Sequence, residues 1–319
     1  MKLQTKIPLN KQAHNQIDYQ SKLFLIGSCF VENIGEKLDY FKFQTLQNPL
    51  GILFHPQAVE QLIINGINEK VYTDEDVFFQ NEQWHCFESH SKLSASSKTA
   101  LLNQLNDQIK VLNKHLKEAT HIIITLGTAW VYRFIELDKV VANCHKVPQK
   151  KFLKELLSVD DISETLQSIE ELIRSVNETA SIIVTVSPVR HLKDGFVENT
   201  QSKAHLLAAI HSLLPPRAQS RGFCYFPSYE IMLDELRDYR FYTEDMIHPN
   251  QTAINYIWEK FEEVWISETA LITMADVDII QKSIQHKPFN PNSEAHNLFL
   301  KKLTERIKKL QFDFPQITF

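Results

Sequence analysis

The chain has 319 residues, of which 43% are hydrophobic and 23% charged, with a formal net charge of -5. That composition excludes a disordered chain and suits one large α/β domain or two smaller ones. A pI near 6.2 leaves no electrostatic footprint for nucleic acid, and no apolar run approaches the 18 residues of a membrane span.

Residues 23–26 (Leu-Phe-Leu-Ile) read as a first buried strand and 31–40 as the helix after it. A short helix follows over 56–66, with proline at its start. Residues 89–99 are a polar connector, and 99–118 an amphipathic helix. The clearest strand is 121–126 (His-Ile-Ile-Ile-Thr-Leu); a helix over 161–177, capped near Asp160 or Asp161, leads to a second apolar strand at 181–186. A helix over 201–213, a short strand over 222–226 and a helix over 250–265 complete the core. Strands alternating with helices predict a mostly parallel sheet covered on both faces. Beyond residue 268 two prolines and a lysine-rich helical stretch (293–311) mark a C-terminal extension, so the expected division is 1–267 and 268–319.

Residues 1–8 contain no apolar leader, and Cys29, Cys86, Cys144 and Cys224 form no C-x-x-C pair. Reduced thiols and a cytoplasmic location are therefore expected, with no disulfide frame.

Two segments carry chemistry. Gly27-Ser28-Cys29-Phe30 follows a strand and opens a helix, which puts Ser28 at the carboxyl end of the sheet and beside free helix N–H groups that favour an oxyanion. The competing reading of Ser28 is a plain N-cap. Asp245 and His248 stand three apart at the entrance of the last core helix, where a carboxylate can orient an imidazole. The competing reading there is a capping aspartate and a surface histidine.

Together these segments resemble the SGNH/GDSL hydrolases, and Gly27-Ser28-Cys29-Phe30-Val31 resembles the eponymous motif of the GSCFA family. Further blocks similar to that family run in order from about residue 22 to 265: 48–52 (Asn-Pro-Leu-Gly-Ile), 126–132 (Leu-Gly-Thr-Ala-Trp-Val-Tyr), 142–146, 186–191, 227–230 and 237–242. The resemblance implies a three-layer, flavodoxin-like fold and a Ser28–His248–Asp245 triad. It also implies an oxyanion hole built on the N–H groups of Ser28 and Gly51. Where the superfamily has an oxyanion-hole Asn, this chain has Ala129, so either Thr128, Asn48 or Asn143 supplies the third donor or the enzyme is weaker than its relatives. A second departure is Gly27 in the place of the superfamily's Asp.

The implied activity is a serine esterase, such as a deacetylase of a carbohydrate or other small ester, with no cofactor or metal. An acyltransferase using the same triad and a non-catalytic binding module of the same fold remain as alternatives. His145, Arg190 and His191 are expected around the substrate. Cys29 is a rival nucleophile, one residue inside the turn. Asn143-Cys144-His145-Lys146 lacks the second ligand pair a metal would need. Ser202-Lys203 reads as part of a capped surface helix, and the 237–242 cluster as packing around the catalytic loop.

Overall fold

The computed structural model describes residues 5–214 and 222–319. The readings of Met1–Gln4 made above lie outside the described residues. The strands are β1 (Lys22–Gly27), β2 (Gln44–Gln47), β3 (Val77–Gln80), β4 (Gln83–Cys86), β5 (His121–Leu126), β6 (Trp130–Phe134), β7 (Lys139–Val141), β8 (Phe152–Leu156), β9 (Ser181–Val186) and β10 (Phe223–Tyr225). The helices are α1 (Cys29–Tyr40), α2 (Pro56–Ile67), α3 (Lys98–Glu118), α4 (Val159–Val176), α5 (Phe196–Leu213), α6 (Ser228–Glu230), α7 (Gln251–Trp265), α8 (Glu268–Gln285) and α9 (Glu294–Asp313).

The architecture is mixed α/β around a five-stranded parallel sheet of order β10-β9-β5-β1-β2. Alternation along the strands sorts the core into two halves. Phe24, Ile26, Ile122, Ile124, Ile182 and Val184 join the cluster with α2, α3, α4 and α5. Leu23, Leu25, Ile123 and Ile183 join the other, with α1, α7 and α8. Each such fully buried side chain contributes about 2 kcal/mol of burial. The chain after residue 267 docks on the second cluster through Ala270, Met274, Val277, Ile280, Leu310 and Ile317.

Three features were not legible in advance. The segment between β5 and α4 forms an antiparallel sheet of order β7-β6-β8, and β3 and β4 form a hairpin; exposed, polar and aromatic side chains are mixed there without a clean period. Helix α4 is capped by Ser158 rather than by an aspartate. Asp161 instead answers as the N3 carboxylate of a capping box, accepting the Ser158 N–H at 2.8 Å. Helix α5 begins at Phe196, five residues before the expected start, because Gly195 (φ 116°) supplies the turn into it.

Candidate functional site

Strand order reverses at β1, whose neighbours β2 and β5 lead the chain away in opposite directions. Ser28 is the residue immediately after β1. Its backbone is extended (φ -69°, ψ 171°) and occupies the N-cap position of α1, yet its side chain caps nothing. The residue is 0% exposed and its Oγ has no hydrogen-bond partner among the described residues. The plain N-cap reading therefore fails for the side chain. Cys29 is no rival in charge state, since burial pushes its thiol up, with the Glu32 carboxylate adding to the shift.

The segment 242–249 is a tight loop closed by a bridge between Tyr242 and Pro249 and by the Thr243 N–H to His248 O bond of 2.8 Å. Asp245 Oδ1 accepts from Thr243 Oγ1 at 2.6 Å, from the Ile247 N–H at 2.8 Å and from the His248 N–H at 3.0 Å. Its Oδ2 faces His248 Nδ1 at 2.6 Å. The Thr243 hydroxyl and the other donors hold the carboxyl well below the ordinary range. The cap of α7 is supplied by Asn250, whose Oδ1 accepts the Ala253 N–H at 3.1 Å, so Asp245 is not spent on capping. With Nδ1 against the carboxylate, Nε2 is the ring nitrogen of His248 left without a hydrogen bond among the described residues. The pair is open to solvent (side chains 49% and 46% exposed), and no hydrogen bond joins it to Ser28.

A different imidazole stands beside Ser28. A Cβ built on Gly127 would lie 3.0 Å from His191 Nε2 and 3.2 Å from Ser28 Cβ, so the two side chains flank the same glycine. His191 Nε2 is buried without a partner. Burial, then the charges of Lys203 and His248, lower its pKa to about 3, which keeps it neutral. Arg190 stands over the Tyr242 ring at 5.9 Å, and its N–H reaches Ile247 O at 3.4 Å, tying this segment to the Asp245–His248 loop.

The expected oxyanion donors are arranged differently. The Ser28 N–H is given to Thr125 O at 2.9 Å and the Gly51 N–H to Asn48 O at 2.7 Å, because β1 continues its ladder to its last residue and Asn48 (φ 38°) closes a turn. Thr128 Oγ1 pairs with Ser202 Oγ at 3.0 Å and accepts the Trp130 N–H, and Asn143 Oδ1 accepts the His145 N–H at 2.9 Å. Asn48 is the exception: its Oδ1 accepts the Gly27 N–H at 2.9 Å while its Nδ2 is buried and unpartnered. Of the candidates, it alone keeps a fully buried side-chain donor without a partner among the described residues.

Phe54, Thr128 and His191 also line a cavity of about 720 Å³ walled by the β3–β4 hairpin and the β6–β8 sheet. Trp130, Tyr132 and Phe152 give it aromatic walls, and Asn143, His145 and Lys193 polar ones. His145 is buried there; its Nε2 lies 2.7 Å from Cys86 O and its Nδ1 has no partner. Among the described residues no group of three His, Cys, Asp or Glu side chains is placed to hold a metal.

His55 and His145 resemble His191 in being neutral: burial lowers each to about 4. All three fall from the ordinary value of 6.5. The unfolded chain therefore takes up their protons first as the solution is acidified, so their contribution is complete above about pH 6.5 and is lost on falling toward pH 4. Thermal melting followed by circular dichroism should show Tm dropping across that window, and an unchanged Tm would contradict the burial.

Sequence reasoning misplaced Lys203. Far from lying on a surface helix face, Ser202 and Lys203 are both 1% exposed. Ser202 Oγ accepts the Ala129 N–H at 2.7 Å, and Lys203 Nζ donates to Gly127 O and Ser187 O, each at 2.7 Å. The signal available was weak: α5 is apolar enough on several faces that its lysine has no distinct solvent stripe.

No helix of the described residues is long and apolar enough to cross a membrane. No match was found among curated proteins. Residues 277–319 match the C-terminal domain of GSCFA domain proteins. The GSCFA family model itself matches residues 22–261, which contain Ser28, the Asp245–His248 pair and every strand of the sheet, and the chain belongs to the GSCFA family.

Proposed function

We propose that this chain is a serine hydrolase of the SGNH/GDSL type, acting on a carbohydrate or other small ester through an acyl-Ser28 intermediate. Numbered along the central sheet alone, the strand order is 2-1-3-4-5, the flavodoxin-like winding whose ligand crevice lies beside the first strand. Ser28 stands at the carboxyl end of that strand. The observation that carries the proposal is its hydroxyl, completely buried and bonded to nothing. Leaving a buried polar group unsatisfied costs about 1–3 kcal/mol, and an N-cap serine ordinarily gives its oxygen to a helix N–H. Both costs make sense for an oxygen kept free to react.

In this reading Ser28 Oγ bonds to the ester carbonyl carbon, its proton passes to His248 Nε2, and the carbonyl π pair moves onto oxygen. Collapse of that oxyanion breaks the bond to the alcohol oxygen, which takes the proton from His248. Water then repeats the sequence against the acyl group; an acceptor alcohol in place of water makes the protein an acyltransferase. Asn48 Nδ2 is the side-chain donor for the oxyanion. Catalytic hydrogen bonds tighten when substrate is bound, and the 242–249 loop is the element that closes. The same reading needs no cofactor, puts the protein in the cytoplasm and takes 268–319 as a helical extension.

A binding module of the same fold is favoured by one observation, the engagement of both the Ser28 and Gly51 N–H groups. A fluorophosphonate probe separates the two readings. The parent chain should be labelled covalently and Ser28→Ala should not. A parent left unlabelled at every pH removes the hydrolase reading.

A further inference from the structure

Lys203 is 1% exposed, and among the described residues its ammonium has no carboxylate partner. Its two hydrogen bonds go to the carbonyls of Gly127 and Ser187, the residues that immediately follow β5 and β9. An ammonium has three N–H donors, so two are spent on neutral acceptors. An uncompensated cation in a protein interior is costly and is kept where its charge is used.

Its position says where. Gly127, whose oxygen it holds, is the glycine flanked by Ser28 Cβ and His191 Nε2. The ammonium is near enough to Cys29 to draw that thiol down and to His191 to help keep it neutral. The Tyr229 ring lies 5.7 Å from Nζ on another side. Among the described residues no carboxylate closes this shell, and the one ionisable group that favours the charged ammonium is the Cys29 thiol, next to Ser28 in the chain.

We propose that Lys203 is an electrostatic positioning residue of the Ser28 site, supplying the positive charge that offsets the negative charge developing there. It adds, through the field, to the hydrogen bond that Asn48 Nδ2 supplies where Ala129 has no side-chain donor. The inference rests on the Ser28 reading for its purpose, though the charge it places beside position 28 can be measured without any enzymatic activity. Burial lowers the Lys203 pKa to about 7, so the site carries this charge fully in mildly acidic solution and about half of it at neutral pH.

The test converts the serine into a titratable reporter. In Ser28→Cys, on a Cys29→Ala background, the introduced thiol is titrated by its thiolate absorbance. Adding Lys203→Met or Lys203→Gln should raise its pKa by about one unit or more, and Lys203→Arg should restore most of the shift. A merely structural lysine would leave the titration in place, and an unchanged pKa in folded Lys203→Met or Lys203→Gln overturns the proposal. Should those variants not fold, the Nζ resonance of Lys203 in 15N-lysine-labelled Ser28→Cys is followed against pH. An inflection at the pKa of the introduced thiol supports the proposal, and its absence overturns it. Fluorophosphonate labelling of the parent is read separately, so a failed hydrolase reading is not confused with a failed charge assignment.

Discussion

His248→Ala is expected to lower kcat for a short-chain p-nitrophenyl ester by about 10⁵-fold, and Asp245→Asn by about 10⁴-fold, with the melting temperature almost unchanged. The fold should tolerate both changes because the two side chains are about half exposed and lie in a loop closed by its own main-chain bonds. The chemistry should not. Asp245 Oδ1 is saturated by three donors, so Oδ2 is the atom that fixes the imidazole. An asparagine keeps an acceptor at Oδ1 but presents an amide N–H where Nδ1–H must donate. The ring would then turn or change tautomer, and Nε2 would no longer be the free base. The carboxyl is held far into acid by its hydrogen bonds, so any loss of activity at mildly acidic pH belongs to another group. His191 sharpens the experiment. It flanks the same glycine as Ser28, and it is neutral. If His248→Ala keeps activity within tenfold of the parent while His191→Ala abolishes it, the base has been assigned to the wrong imidazole.

The parts of this molecule that were readable in its sequence share one property: their physics is local. The 23–26, 121–126 and 181–186 runs are apolar on both faces and short, which only a strand buried between two helical layers requires. Asp245 and His248 are three residues apart, so their contact is decided by one loop. What escaped is non-local. Lys203 is buried because α5 packs its charged residue against the ends of two strands about 80 and 20 residues earlier, and nothing in its neighbours announces that. The two expected main-chain oxyanion donors are engaged for a related reason. Identifying Ser28 and Gly51 as donors assumed that their N–H groups were idle, whereas the β1–β5 ladder and the Asn48 turn had already claimed them. Asn48 was among the candidates, but its free Nδ2 became visible only once Oδ1 was seen to hold Gly27.

Gly27→Ala should destabilise the fold by about 4 kcal/mol or more, seen as a fall in the urea midpoint with little change in m. Gly27 has φ 133°, which side chains rarely adopt, and a Cβ there would meet Thr125 O at 2.1 Å, Thr125 C at 2.8 Å and Thr125 N at 2.9 Å. All three are backbone atoms of the neighbouring strand, so no rotamer change relieves the clash. Thr125 O is also the acceptor for the Ser28 N–H, and the methyl group would therefore pry apart the last rung that seats Ser28. Gly127→Ala is the informative companion. Its added carbon would find His191 Nε2, Phe54 O and Ser28 Cβ at 3.0, 3.1 and 3.2 Å, with no positive φ to strain. Those neighbours must give by only a few tenths of an ångström, so the fold should survive at a cost of about 1–3 kcal/mol. Labelling at Ser28 should nevertheless fall sharply. The two glycines thus separate making the fold from making the corner in which Ser28 reacts. If Gly127→Ala is labelled as fast as the parent, that corner is not where the probe binds.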